Sequence, residues 1–474
     1  VACLAALLAA APVAQELPDL GGSERSVLSQ QTERKIGEAI YRDVQRDPEF
    51  LDDAEVNEYL NLLGAKLVAA GPGSPWDYVF FAMRDATINA FALPGGYVGV
   101  NTGLIRLTEN ESELASVLAH EVSHVTQRHI ARMIGGQQKA QIPAMIGLAA
   151  AILLANSRPD LATAAAAASQ AGVMQYQLNY TRDFEREADR VGFQRLTAAG
   201  FDASAMGVFF EKLQRSTRVA DDGSVPGYLR SHPVTTERIA EAQSRAAGTQ
   251  YRQSLDSPDY QLVRAKLRVD ASDARDAVAF YSDALRDRRY ASEAATRYGL
   301  ALARLKAGQK DLAAQEMPKL RATGVAGSMI ESLAARIQDA RGERKAAIAT
   351  LRAATTRFPS RRAVLYDYLK LLLDDRQHDV AGAELAERLR GAPRDAKLHA
   401  FQARVYQAQG RNLLHHQAQA EAYYLEGALP AAIEQLEIAL KAGDGDFYQL
   451  SAAEARLKLL RAEREQEARQ GKRP

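Results

Sequence analysis

The stretch LASVLAHEVSHVTQRH, residues 114–129, carries His120, Glu121 and His124 in the order H-E-x-x-H. A four-residue step on a helix puts two imidazoles one turn apart on one face, where both reach a single Zn²⁺. Glu121 then stands beside a water on that metal instead of on the metal itself. With 8 His in 474 residues the motif arises by chance roughly once in a hundred chains of this length, so it needs partners. A catalytic zinc also requires a third protein ligand and an open position. FEREADRVG supplies a candidate, because Glu185 and Asp189 are four apart and share a helical face. Glu187 points about 200° away from Glu185 around the same helix and is the weaker choice. With Glu185 on the metal, Asp189 is placed to hydrogen-bond a ligand imidazole and fix its tautomer. For the E-x-x-x-D spacing taken alone, a solvated acidic face is the competing reading.

Two further histidines bear on this chemistry. His232 directly precedes Pro233, which predicts extended backbone; a role in site closure or transition-state contact and a plain loop position both stay open. His129 lies more than a turn past His124 and reads as a surface histidine at the far end of the helix.

The elements that must hold these residues follow from periodicity. Leu114, Val117, Leu118, Val122 and Val125 form an apolar helical stripe; Asn110, three residues before Glu113, caps its start, and Gly135-Gly136 is the expected end. Residues 33–70 are helical in pattern and stop at GPGSPW. DYVFFAMRD reads as a strand, and INAFALPGGYVGVNTG as two short extended runs around Pro94-Gly95-Gly96. An exposed sheet edge beside the zinc helix could take an extended substrate as an added strand.

Composition sets the frame. Lys plus Arg is 60 and Asp plus Glu 59, and a net charge of +1 offers no field for nucleic acid. Residues 1–14 read as the remnant of a secretory signal, with Cys3, the only cysteine, inside it; residues 15–32 read as a linker. A processed chain then needs no disulfide. Residues 142–156, IPAMIGLAAAILLAN, are too short to span a bilayer and read as a buried or membrane-contacting helix. From about residue 255 strand signals vanish and a period appears. Gly308, Gly342, Arg376 and Gly410 stand 34 residues apart, Ala313, Ala347 and Ala381 five residues after the first three, and Pro359 and Pro393 at the ends of units. His415 replaces the small residue of the fourth unit, and Gly427 with Ala432 resumes the step. This resembles the tetratricopeptide repeat, here four to five helical pairs. The expected fold class is thus mainly α with a small β-sheet: a zincin-like metallopeptidase domain over 33–254 and a helical repeat domain over 255–474.

HEVSH followed about 60 residues later by EREAD resembles the gluzincin peptidases of the HtpX and CAAX-prenyl-protease type. INAF, HEVSHVTQRH, EREADRVG and SHP ahead of the repeats narrow the likeness to periplasmic members with tetratricopeptide repeats. The resemblance implies one Zn²⁺ per chain, held by His120, His124 and Glu185, with Glu121 as general base. It also implies that His232 occupies the fourth zinc position and holds the protease closed. The INAFALPGGYVGV run resembles the edge segment of the gluzincin peptidases, and that resemblance makes Asn89, Ala90 and Phe91 candidate backbone contacts, with an ordinary core hairpin as the alternative for Phe91. By the same likeness the chain serves quality control of outer-membrane β-barrel assembly. Its partners are stalled outer-membrane proteins and the assembly machinery, with peripheral membrane contact and no nucleic acid. A repeat-based chaperone or scaffold with a non-catalytic zinc site is the rival from another class.

Overall fold

The computed structural model describes residues 28–135, 182–219, 228–229, 232–250 and 252–471. The expected signal remnant with Cys3 and the apolar run 142–156 lie outside these residues.

The helical pattern of residues 33–70 resolves into two helices, α1 (Gln30–Gln45) and α2 (Ala54–Ala69). Pro48 sits in the break, where its missing N–H could not continue a helix. Asp53 then starts α2 afresh by accepting from the amides of Glu55 and Val56 at 3.0 and 3.1 Å.

Three strands follow: β1 (Val79–Met83), β2 (Ala90–Leu93) and β3 (Tyr97–Asn101). They form a sheet in the order β1-β3-β2, with β1 parallel to β3 and β2 antiparallel to it, Ala90 opposite Val100 and Leu93 opposite Tyr97. Gly95 and Gly96 make the expected hairpin at φ of 81° and 101°, backbone that an L side chain resists. The two-residue alternation of the strands feeds two cores. Phe80, Ala82, Ala90, Val98 and Val100 face the main core, while Phe81, Met83, Phe91 and Leu93 pack under Ile40 and Val44 of α1.

After the short α3 (Thr102–Leu107) comes α4 (Glu111–Thr126), in which every residue from Glu111 to Val125 is buried. Asn110 caps it as expected, its side chain accepting from the Glu113 amide at 2.9 Å. The helix does not run on to Gly135-Gly136. It stops at Thr126, Arg128 adopts a left-handed φ of 54°, and α5 (His129–Gly135) starts in a new direction. Arg128 is held in that costly conformation by its guanidinium, which donates to Glu33 of α1 at 2.8 Å and to the Leu28 carbonyl at 2.8 Å. The helices α6 (Arg182–Ala198), α7 (Ala205–Val219) and α8 (Thr236–Ala247) complete this part. Gly192 of α6 lets it approach α4 closely: a Cβ there would lie 3.1 Å from the Cα and N of His120.

From Pro258 onward the described chain is helical throughout. The segments α9 (Pro258–Ala271) and α10 (Ala274–Arg286) lead into the periodic pairs α11 (Glu293–Lys306) with α12 (Lys310–Ala322), α13 (Ser328–Ala340) with α14 (Arg344–Arg357), α15 (Arg362–Asp374) with α16 (His378–Gly391), and α17 (Ala396–Ala408) with α18 (Asn412–Leu425). The expected turn residues Gly308, Gly342, Arg376 and Gly410 all have positive φ, between 59° and 83°, and the alanines five residues later, Ala313, Ala347 and Ala381, are fully buried. His415 departs from that rule; it is half-buried, with Nδ1 2.9 Å from the Ala403 carbonyl. Two last helices, α19 (Leu429–Ala439) and α20 (Phe447–Gly471), end the stack.

The start of α2 joins the two halves. Glu55 is buried between Lys266 of α9 and Arg336 of α13, the latter at 3.1 Å; Lys266 also meets Asp53 at 2.5 Å and Arg336 meets Asp367 at 3.0 Å. Among the described residues no helix is long and apolar enough to cross a membrane.

Candidate metal centre

The buried middle of α4 presents His120 and His124 on one face, their Nε2 atoms 2.9 Å apart. α6 crosses that face and brings Glu185 within 3.5 Å of each Nε2. His232 enters from the segment before α8, its Nδ1 2.9 Å from Glu185 and 3.4 Å from His120 Nε2. One donor atom from each of His120, His124, Glu185 and His232 lies within 4.8 Å of the others, and all four residues are buried. The sequence thus names every member of a cluster that could hold a metal ion. His232 joins it as the fourth.

Glu121 stands beside the cluster, fully buried, with neither carboxylate oxygen hydrogen-bonded among the described residues. The nearest basic atom to it is His232 Nε2 at 3.6 Å. Burial pushes the Glu121 carboxyl above its usual range, against the pull of His232 and His120. Asp189 sits where the E-x-x-x-D spacing puts it, 2.9 Å from His120 Nδ1, which turns His120 Nε2 into the cluster.

Sequence reasoning missed the cation that holds both acids. Arg238, in the first turn of α8, grips Asp189 through two bonds of 2.7 and 2.8 Å and reaches Glu185 at 2.8 Å. A fourth contact, 2.8 Å to the Pro233 carbonyl, ties the same guanidinium to the segment that bears His232. Nothing in the spacing of the motifs singles out an arginine about 50 residues away from the acids it serves.

These groups fit a divalent cation. Burial alone would raise Glu185 and Asp189, but His232 and His120 respectively, together with Arg238, outweigh it and hold both below the usual carboxylate range. Burial alone would likewise keep His120 neutral, but Asp189 and Glu185 draw a proton onto it and push it up to about 10. Among the described residues Arg238 is the one guanidinium on Glu185 and Asp189, and a donor set of imidazole nitrogens with a carboxylate oxygen suits a divalent cation.

The remaining expectations meet a mixed outcome. Among the described residues β2 is an edge strand, and it packs beside α4, as required for an added strand. The Phe91 ring is buried among Phe81, Met83 and Leu93, so only its backbone is offered at the edge. Asn89 is buried with Oδ1 unpartnered among the described residues, and Ala90 is in the main core. The Ile88 carbonyl at the start of this edge accepts from the Tyr228 amide at 3.0 Å, and the Tyr228 ring lies 4.7 Å from His232. The segment that delivers His232 therefore also pairs with the edge. His129 is not a surface residue: it is fully buried, its Nδ1 2.8 Å from Nδ1 of His124, because the left-handed Arg128 folds α5 back onto α4. Glu187, set aside as a ligand, points away from the cluster to His129 at 3.1 Å and Arg132 at 2.8 Å.

A small sheet edge beside a buried H-E-x-x-H helix, with a glutamate from a second helix completing the donor set, defines the gluzincin class of metallopeptidase. Residues 53–246 match the model of peptidase family M48. A Vibrio cholerae relative is 39% identical over 315 residues, 66% of this chain and 64% of its own length. The beta-barrel assembly-enhancing protease of Escherichia coli K12 is 35% identical over 308 residues, 65% of this chain and 63% of that protein. The chain thus spans somewhat under two thirds of these relatives. The mitochondrial metalloendopeptidase OMA1 of Schizosaccharomyces pombe is 29% identical over 191 residues, 39% of this chain and 51% of its own. The crystal structure of the P58(IPK) TPR domain aligns at 14% identity over 68% of this chain and 98% of that one, with a TM-score of 0.17, too loosely to bear on the fold.

Proposed function

We propose that this chain is a periplasmic zinc metalloendopeptidase that removes stalled or misfolded proteins during outer-membrane β-barrel assembly, with the helical repeats after residue 254 contacting clients or the assembly machinery. One observation carries the hydrolytic reading: the buried Glu121 carboxyl, with neither oxygen hydrogen-bonded among the described residues, adjoins a four-donor cluster that could hold a metal ion. The name of the E. coli relative supports the biological setting.

In this reading His120, His124 and Glu185 hold the ion. Zinc, when bound, supplies the Lewis acidity that activates a water and polarises the scissile carbonyl. Glu121, its pKa raised by burial, takes the proton from that water and returns it to the leaving amine. Asp189 keeps His120 in the ligating tautomer, and Arg238 keeps Asp189 and Glu185 in place. The backbone of residues 89–91 offers the edge on which an extended substrate lies. The place of His232 in the cluster and the bond of its segment to that edge at Ile88 support a resting, closed form that opens when the segment leaves.

The closed four-donor set also suits a repeat-based chaperone or scaffold with a non-catalytic zinc, since structural sites have no open position. Glu121 separates the readings, because a structural site has no use for a base beside the metal. The test is degradation of a stalled β-barrel precursor in cells by the wild-type chain and Glu121→Gln. Loss of degradation in the variant, with precursor binding retained, is the expected result; equal degradation by both would leave the scaffold reading standing.

A further inference from the structure

Beyond the ligands themselves, His124 is the end of a hydrogen-bonded chain that no spacing argument anticipates. Its Nδ1 lies 2.8 Å from Nδ1 of His129, and His129 Nε2 lies 3.1 Å from Oε2 of Glu187. The Glu187 carboxylate also accepts from Arg132 at 2.8 Å. Arg132 stands on α5 three residues after His129, so one short helix supplies both the second histidine and the cation that steadies the acid.

The protons along this chain can be assigned from chemistry. Glu187, a carboxylate ion-paired with Arg132, only accepts. His129 Nε2 must therefore carry the proton it donates to Glu187. A neutral imidazole has one N–H, so His129 Nδ1 is an acceptor, and the contact of 2.8 Å requires the proton to sit on His124 Nδ1. The lone pair of His124 is then on Nε2, the atom that faces His120 and Glu185. His129 is locked in this place, fully buried, with its ring stacked on Phe184 at 4.6 Å and 9°.

We propose that Glu187 and His129 are positioning residues that fix the ligating tautomer of His124, as Asp189 does for His120. Each histidine on α4 thus receives its orientation from an α6 carboxylate, directly for His120 and through a second imidazole for His124. The α6 acids Glu185, Glu187 and Asp189 divide the work between one ligand and two orienting groups. The left-handed turn at Arg128 has a purpose on this account, since a continuous helix would carry His129 about 140° around from His124.

The proposal rests on the reading that the cluster binds zinc, and its test uses the full-length chain with readouts other than activity. Zinc affinity by chelator competition and the visible spectrum of the Co²⁺-loaded protein would be compared for wild type, His129→Phe, His129→Gln and Glu187→Ala. Phe keeps the stacking on Phe184 but accepts no hydrogen bond; Gln keeps an acceptor for His124. The expected result is a loss of zinc affinity on the order of 10- to 100-fold in His129→Phe and a smaller loss in Glu187→Ala, with an altered Co²⁺ spectrum and recovery of most of the affinity in His129→Gln. Wild-type affinity and spectrum in His129→Phe would overturn the proposal, as would equal weakening of Phe and Gln variants, which would mark a packing role. Failure of the wild-type chain itself to bind zinc would instead strike the functional reading.

Discussion

At the scale of residues, the metal centre is a contest between burial and charge that no single side chain settles. His120, Glu121, His124, Glu185 and Asp189 were legible in the sequence, because helical spacing ties two histidines to one ion and two acids to one face, whereas His232 was offered only by the family resemblance. Arg238 and His129 were not legible. Arg238 comes from a separate helix, and His129 was misplaced because the pattern of α4 gives no hint that Arg128 turns left-handed. That conformation depends on Glu33 and Leu28, almost a hundred residues earlier. His232 carries the clearest prediction at this scale. On the proposed reading His232 takes the fourth place among the donors, and the substrate-ready site opens when it leaves. If the closed form holds nine-tenths of the population or more, His232→Ala raises peptide hydrolysis by about 10-fold or more, measured on an unstructured peptide. Unchanged hydrolysis would remove the latch.

At the scale of elements, the site depends on two helices from different parts of the chain meeting at a fixed distance. α4 was anticipated in place and capping, and the strand-hairpin-helix order before it followed from alternation and from Gly95-Gly96. What periodicity could not give is the closeness of α6, which a single glycine permits. Gly192→Ala puts a methyl 3.1 Å from the backbone of His120, and backbone cannot swing aside as a long side chain does. α6 must then move outward by a few tenths of an ångström, taking Glu185 and Asp189 with it. We expect metal-free Gly192→Ala to lose about 1–3 kcal/mol of stability, read by urea unfolding, together with weaker zinc binding. A variant with full zinc affinity would show that the close crossing does not set the donor geometry. The repeats show the opposite case, in which the sequence specified the local geometry well. The 34-residue step fixed the turns, and even Arg376, a non-glycine at such a turn, has the left-handed φ of 59° that its place in the period demands.

At the scale of the molecule, the peptidase fold and the helical repeats share a charged seam. Glu55 at the head of α2 meets Lys266 and Arg336 from two separate helices of the C-terminal stack. Such a seam is invisible in sequence, since each partner reads alone as an ordinary surface charge. It joins the repeats to the helix that flanks α4, so a partner held by the repeats lies on the same body as the site. The central claim, that this body is a hydrolase with a metal ion served by Glu121, is tested most directly by pairing metal content with turnover. The purified His232→Ala chain and the His232→Ala/Glu121→Gln double variant would be analysed for zinc by mass spectrometry and for hydrolysis of one unstructured peptide. The account predicts one zinc per chain in both, with hydrolysis lower by about 10³-fold in the double variant. Substoichiometric zinc in both, or equal hydrolysis with and without Glu121, would contradict it.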